Sequence, residues 1–142
     1  IECPKIRFRR KMNAEAAIYG RLSADSTLTA LLASITSIYP EVAPQNASNP
    51  CIVYSESTAE YSDNKDGTSH LDTSIIQVDV YADTIAARNT IGSRVRTLLD
   101  RYSGTVNTIV VQSIQLVYSF KTYDSESRAY RQTFDFRLRQ VN

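Results

Sequence analysis

Apolar residues recur along this chain with two periods, and the switches between them outline the fold. Ala14, Ala17, Ile18 and Leu22 fall at helical spacing, with Asn13 placed to cap and Glu15 in the first turn, so Asn13 to Ser23 predicts a helix. Asp25 or Ser26 caps a second, short helix with a stripe of Leu28, Leu31, Leu32 and Ile35. From Cys51 to Tyr61 and from Leu71 to Ala82 the period drops to two. Ile76, Val78 and Val80 then share one strand face, opposite Ile75, Gln77, Asp79 and Tyr81. Asp83 or Thr84 caps a main helix running to about Tyr102. Ile85, Ile91, Val95, Leu98 and Leu99 form its buried stripe, Arg88, Arg94, Arg96 and Arg101 its wet side, and Gly104 its stop. Val106 to Tyr123 reads as one strand region, Asp124 to Ser127 as a turn, and Ala129 to Val141 as the last strand. In that strand Tyr130, Gln132, Phe134, Phe136 and Leu138 alternate with Arg131, Thr133, Asp135, Arg137 and Arg139, one face for the core and one for water or a partner.

The expected fold class is therefore α+β, in the order α-α-β-β-α-β-β: a four-stranded, mainly antiparallel sheet with helices packed on one face. Between the second helix and the first strand lies IYPEVAPQNASNPCIVY, residues 38–54. Pro40, Pro44 and Pro50 each fix φ and restrict the preceding residue, so this connector is extended and stiff. Structureless connectors of this length are uncommon in compact domains unless they have a use.

Composition narrows the class. A chain of 142 residues, 42% hydrophobic, suits one core of ordinary size. No apolar run reaches the length of a membrane span. Lys5, Arg7, Arg9, Arg10 and Lys11 against Glu2 give residues 1–11 a charge of +4; since the chain totals +1, the remainder carries −3. The expected organisation is a basic arm, 1–11, and a single mildly acidic domain, 12–142, with Met12 marking the start of the folded unit. The arm suits phosphate or an acidic surface, or is a solvated leader.

Reactive chemistry is sparse. Phosphate-loop, dinucleotide-binding and nucleophile-elbow spacings are absent, and there are only four glycines. Cys3 and Cys51, with His70 the only histidine, are too few for a zinc site. Ser69, His70 and Asp72 fall together in a polar hairpin tip, which lacks the rigid placement a triad requires. Asp63, Asp66 and Asp72 lack calcium-loop spacing and its terminal Glu. No cofactor or metal is expected. Six of the nine tyrosines fall on or beside strands, as in sheets and interfaces. Arg131, Arg137 and Arg139 offer a weak nucleic-acid face, interrupted by Asp135. Strands this long point to assembly rather than catalysis, with a small RNA-binding domain as the reading from a different class.

The segments NAEAAIYGRLSADSTLTALL, IYPEVAPQNASNPCIVYSES and SIIQVDVYADTIAARNTIGSRVRTLL carry a resemblance. Ile38-Tyr39-Pro40, Pro44, Pro50-Cys51-Ile52-Val53-Tyr54 and Gln77-Val78-Asp79-Val80-Tyr81-Ala82 stand in the order and spacing of the tail-completion or tail-terminator proteins of long-tailed bacteriophages, which the chain resembles. The match runs from Asn13 to about Leu99 and continues by pattern only; residues 1–11 fall outside it. The resemblance implies a structural, non-enzymatic virion subunit. It forms a six-fold homo-oligomeric ring at the head-proximal end of the tail, assembled in the host cytoplasm, with the tail tube protein and the head connector as partners and no membrane. DNA passes through the lumen without specific binding. Another head-closure or connector ring is the nearest alternative.

Expected interaction residues are Pro40 and Pro44 at the subunit boundary, and Ser62, Asp63, Asn64, Lys65 and Asp66 in the hairpin tip. Asp124 and Glu126 in the last turn, and Arg7, Arg9 and Arg10 in the arm, complete the set. Deleting Ser62–His70 is expected to leave ring formation intact and to abolish tail joining; infectious particles of normal titre from that deletion would contradict this assignment.

Overall fold

The structure, a computed structural model, describes residues 14–44, 47–61, 71–126 and 128–141. Helix α1 covers residues 14–23 and α2 Ser26–Leu31. Strand β1 is Ile38–Pro40, β2 Cys51–Tyr61 and β3 Leu71–Ala82. Helix α3 spans Ile85–Leu99. Strands β4 Gly104–Val106, β5 Ile109–Asp124 and β6 Ala129–Val141 complete the chain.

These strands form one six-stranded sheet in the order β1-β2-β3-β6-β5-β4, curled into a half-barrel. This corrects the four-stranded antiparallel sheet expected from the sequence. Short strands extend it at both edges, and β1 pairs with β2 in parallel, which makes the sheet mixed. The parallel strand comes out of the proline connector. Its length of three residues carries no alternation from which a strand could be read.

The other added strand has a different cause. Residues 104–123 hold a tight hairpin, with Val106 paired to Ile109. Asn107 and Thr108 between them have φ of 49° and 70°. A two-residue type I′ turn requires positive φ at both positions, and Asn-Gly is its usual signal. Asn-Thr carries only half of that signal, so the hairpin reads as one continuous strand. Gly104 opens β4 and does not stop the helix. The stop is Asp100, followed by Arg101 at φ 62°.

One sheet face carries the core. Ile52 and Tyr54 of β2, Ile76, Val78 and Val80 of β3, Phe134, Phe136 and Leu138 of β6 and Ile114 of β5 are buried there. Ile18 and Leu22 of α1, Leu28 of α2, and Ile91, Val95, Leu98 and Leu99 of α3 cover them. The α3 axis approaches β6 closely at Gly92, where a Cβ would collide with the Gln132 side-chain oxygen and lie 3.5 Å from the Phe134 ring. Mid-helix glycine costs about 1 kcal/mol in propensity, and the close approach is what it gains.

The starts of α2 and α3 are capped. The Asp25 carboxylate accepts the Leu28 N–H at 2.9 Å, and the Thr84 hydroxyl accepts that of Ala87 at 3.1 Å. Arg94 of α3 also donates twice to Asp25, at 2.8 Å each, and so locks α2 to α3. That hydrogen bonding holds the Asp25 carboxyl below its ordinary range, partly opposed by burial. The stability it lends is present above the unfolded carboxylate pKa and is lost as pH falls through the depressed value. Arg21 of α1 donates to the Leu98 carbonyl at 3.1 Å and lies over the Tyr102 ring, which ties α1 to the same helix.

Three side chains depart from the amphipathic reading. Ile35, expected in the α2 stripe, follows the helix end and is 74% exposed. Ile85, the first residue of α3, is 51% exposed. Arg88, expected on the wet side, is buried, with its guanidinium on Asn89 and over the Tyr130 ring. A long aliphatic stem allows this wherever the head group finds partners.

Gly92→Leu tests the packing of α3. Leu is the better helix former, yet the variant should unfold with a stability loss of about 1–3 kcal/mol from overpacking. An unchanged or higher melting temperature would show that α3 does not depend on the close approach.

Candidate functional site: the outer face and edges of the sheet

The face of the sheet away from the helices is not simply wet. The connector leaves β1, turns at Glu41 with φ 66°, and passes beside β2. The Glu41 N–H donates to the Tyr54 carbonyl at 2.7 Å and that of Val42 to the Pro40 carbonyl at 2.7 Å. A cavity of about 480 Å³ lies between the connector and the strands, lined by Val42, Pro44, Val53, Asp79, Tyr81 and Asp124 among others. Pro44 also borders a second cavity of about 290 Å³, with Ser34, Ser37 and Tyr39.

Two polar residues of the larger cavity, Asp79 and Asn49, are held by neighbours outside its lining. Asp79 accepts from the Thr133 hydroxyl at 2.6 Å, from Arg131 at 3.2 and 3.3 Å and from Gln77 at 3.1 Å. Asn49 donates to Asp83 at 3.1 Å. Burial raises the Cys51 thiol to about 11, so it is a thiol and not a thiolate at neutral pH. Among the described residues no cluster of His, Cys, Asp and Glu is placed to hold a metal, and no helix is long and apolar enough to cross a membrane.

The expected interaction residues divide. Pro40 is exposed at the end of β1. Pro44 and Asp124, expected at separate contacts, line the same cavity. Glu126 is exposed in the β5–β6 turn, where its N–H donates to the Asp124 carboxylate at 3.1 Å. Arg7, Arg9 and Arg10, together with Ser62, Asp63, Asn64, Lys65 and Asp66, lie outside the described residues, as does His70.

Sequence reasoning missed the second half of β5. Val117, Tyr118, Phe120 and Tyr123 are exposed by 50, 57, 40 and 52%. Strand β4 covers only residues 109–111 of the outer β5 edge. Beyond it Ile114 exchanges hydrogen bonds with Arg101 and Tyr102, and Leu116 donates to the Asp100 carboxylate. No backbone partner stands against that edge from residue 117 to 123 among the described residues. The signal was present: after Leu116 apolar residues occupy both parities, and a bulge falls between Leu116 and Tyr118. Asp72, grouped with the polar tip in the sequence, instead stands buried in β3 opposite Gln140, and its carboxylate oxygens have no partner among the described residues.

A half-barrel with one face buried under helices leaves, among the described residues, an open β5 edge with exposed apolar side chains, a surface of the kind that other molecules cover. The family profile described as tail completion protein gp17 matches residues 16–140, and the chain belongs to that family: it is a structural protein of a bacteriophage-type tail. A chain solved in the virion of a native gene transfer agent particle is 20% identical, with a TM-score of 0.70 over 90% of this chain and 94% of that one. A second solved chain is 14% identical, with a TM-score of 0.59 over 92% of this chain and 94% of that one. Both share the fold. No curated protein matches the chain.

Asp135 provides a pH test of the outer face. Burial, and then the charge of Asp79, raise its carboxyl above the ordinary value. A raised carboxyl favours the protonated fold, so its ionised form costs stability above the raised pKa. Asp135→Asn should therefore raise the melting temperature at pH 7, with the gain shrinking as pH falls toward the carboxylate range. A loss at pH 7 would mean that the carboxylate is held by a partner.

Proposed function

We propose that this protein is a tail terminator: a closed, six-fold ring of identical subunits on the head-proximal end of the tail tube, which stops tube growth and joins the tail to the head connector. The observation that carries the reading is the family match over residues 16–140. The sheet agrees with it, because its two edge strands, β1 and β4, differ in structure. Cyclic closure needs a heterologous contact of that kind, one side of a copy meeting the opposite side of the next. The likeness to a chain of a gene transfer agent virion agrees with a place in such a particle.

The role is mechanical. The lumen passes DNA without reading it, which suits the charge of −3 carried by residues 12–142. No catalytic residue is assigned.

Native mass measurement combined with imaging of particles that lack the protein tests this reading. A discrete hexamer, together with separated heads and tails in its absence, is expected. A monomer whose nucleic-acid affinity falls steeply with salt would instead favour an RNA-binding domain.

A further inference from the structure

The core face of the sheet ends in a buried charge. Asp72, Ser74, Ile76, Val78 and Val80 share one face of β3, and Phe134, Phe136, Leu138 and Gln140 the matching face of β6. Along most of its length this face is apolar. At its far end Asp72 is 1% exposed and stands directly opposite Gln140, which is 2% exposed, with buried Val111 of β5 next in the row. Side chains directly opposite one another on an antiparallel pair start about 4.5–5.5 Å apart. Both Asp72 carboxylate oxygens and the Gln140 side-chain oxygen are buried without a hydrogen-bond partner among the described residues.

Acceptors gathered without a donor are costly. A carboxylate taken out of water loses several kcal/mol unless a counter-charge meets it. Turning the Gln140 carboxamide over would offer Asp72 an N–H, but a neutral donor leaves the charge uncompensated. The site therefore calls for a cation that carries several donors. A lone carboxylate beside a carboxamide is a poor cage for calcium or magnesium, which gather many oxygen ligands. A guanidinium fits better. Its planar fork meets both oxygens of a carboxylate at once, and its remaining N–H groups can reach Gln140.

We infer that an arginine of the basic arm, Arg7, Arg9 or Arg10, docks its guanidinium on Asp72 and Gln140 and so straps the arm across this end of the core. No described arginine donates to Asp72. The arginines outside the described residues are those of the arm; residues 62–70, although they lead into β3, supply Lys65 and His70 but no arginine. The reach is short. Ala14, where α1 begins, is buried in the same core cluster. Arg10 lies four residues before it, and four extended residues span up to about 14 Å. Charge agrees, since the arm carries +4 and the remainder of the chain −3. The strap gives the arm a structural place in the subunit, whether or not the subunits close a ring.

Trypsin cleavage of the full chain tests this, because the arm is rich in cleavage sites. Cleavage after Lys11, a site common to every variant, reports release of the arm, and cleavage after Arg96 in α3 reports general unfolding. Asp72→Asn should speed the first at least about tenfold and leave the second unchanged. One of Arg7→Gln, Arg9→Gln and Arg10→Gln should match it, and that variant combined with Asp72→Asn should be cleaved no faster than either alone. If Asp72→Asn does not fold, the three arm variants decide the matter by themselves. Arm variants that are all cleaved at the wild-type rate overturn the strap. Lys65→Gln or His70→Gln reproducing the release overturns it in favour of the hairpin tip. A melting temperature raised by calcium or magnesium chloride in the wild type and not in Asp72→Asn overturns it in favour of a metal ion.

Discussion

One-sided burial governs this subunit. Strands β3 and β6 form the centre of the sheet, paired from Leu71↔Val141 to Ala82↔Tyr130. Their inward residues Ile76, Val78, Val80, Phe134, Phe136 and Leu138 meet α3 across the gap that Gly92 leaves open. All three helices are spent on that face. The outer face and both edges of the sheet are left to the connector and to other molecules. The caps follow from the same constraint, because Asp25 both starts α2 and holds Arg94 of α3.

The outer face is stabilised without helices. The connector shields Cys51 and Val53, and Asp79 gathers Thr133, Arg131 and Gln77 around one carboxylate. Such a network is stable because each partner is satisfied. It ties β3 to β6 on the outer face behind the connector.

Much of this was legible in the residues, and the exceptions have physical causes. Strand β6 declares itself through strict alternation from Tyr130 to Arg139, and α3 through Ile91, Val95 and Leu98. The Asn107–Thr108 turn was hidden because its Asn-Thr pair lacks the glycine that usually marks such turns. Strand β1 was hidden because three residues in parallel pairing carry no period. Arg88 reads as wet by type and is buried by geometry. At the site, proline spacing identified the connector as a stiff element with a purpose, and the structure adds that Pro44 faces Asp124 across one cavity. The β5 edge was missed because its side chains fit a strand either way. Only the strand order shows that nothing among the described residues covers it.

An image of the intact particle at side-chain detail tests the central claim most directly. The account predicts a single level of six copies at the head-proximal end of the tail. Copies placed elsewhere in the particle, or copies that do not close a ring, would contradict it.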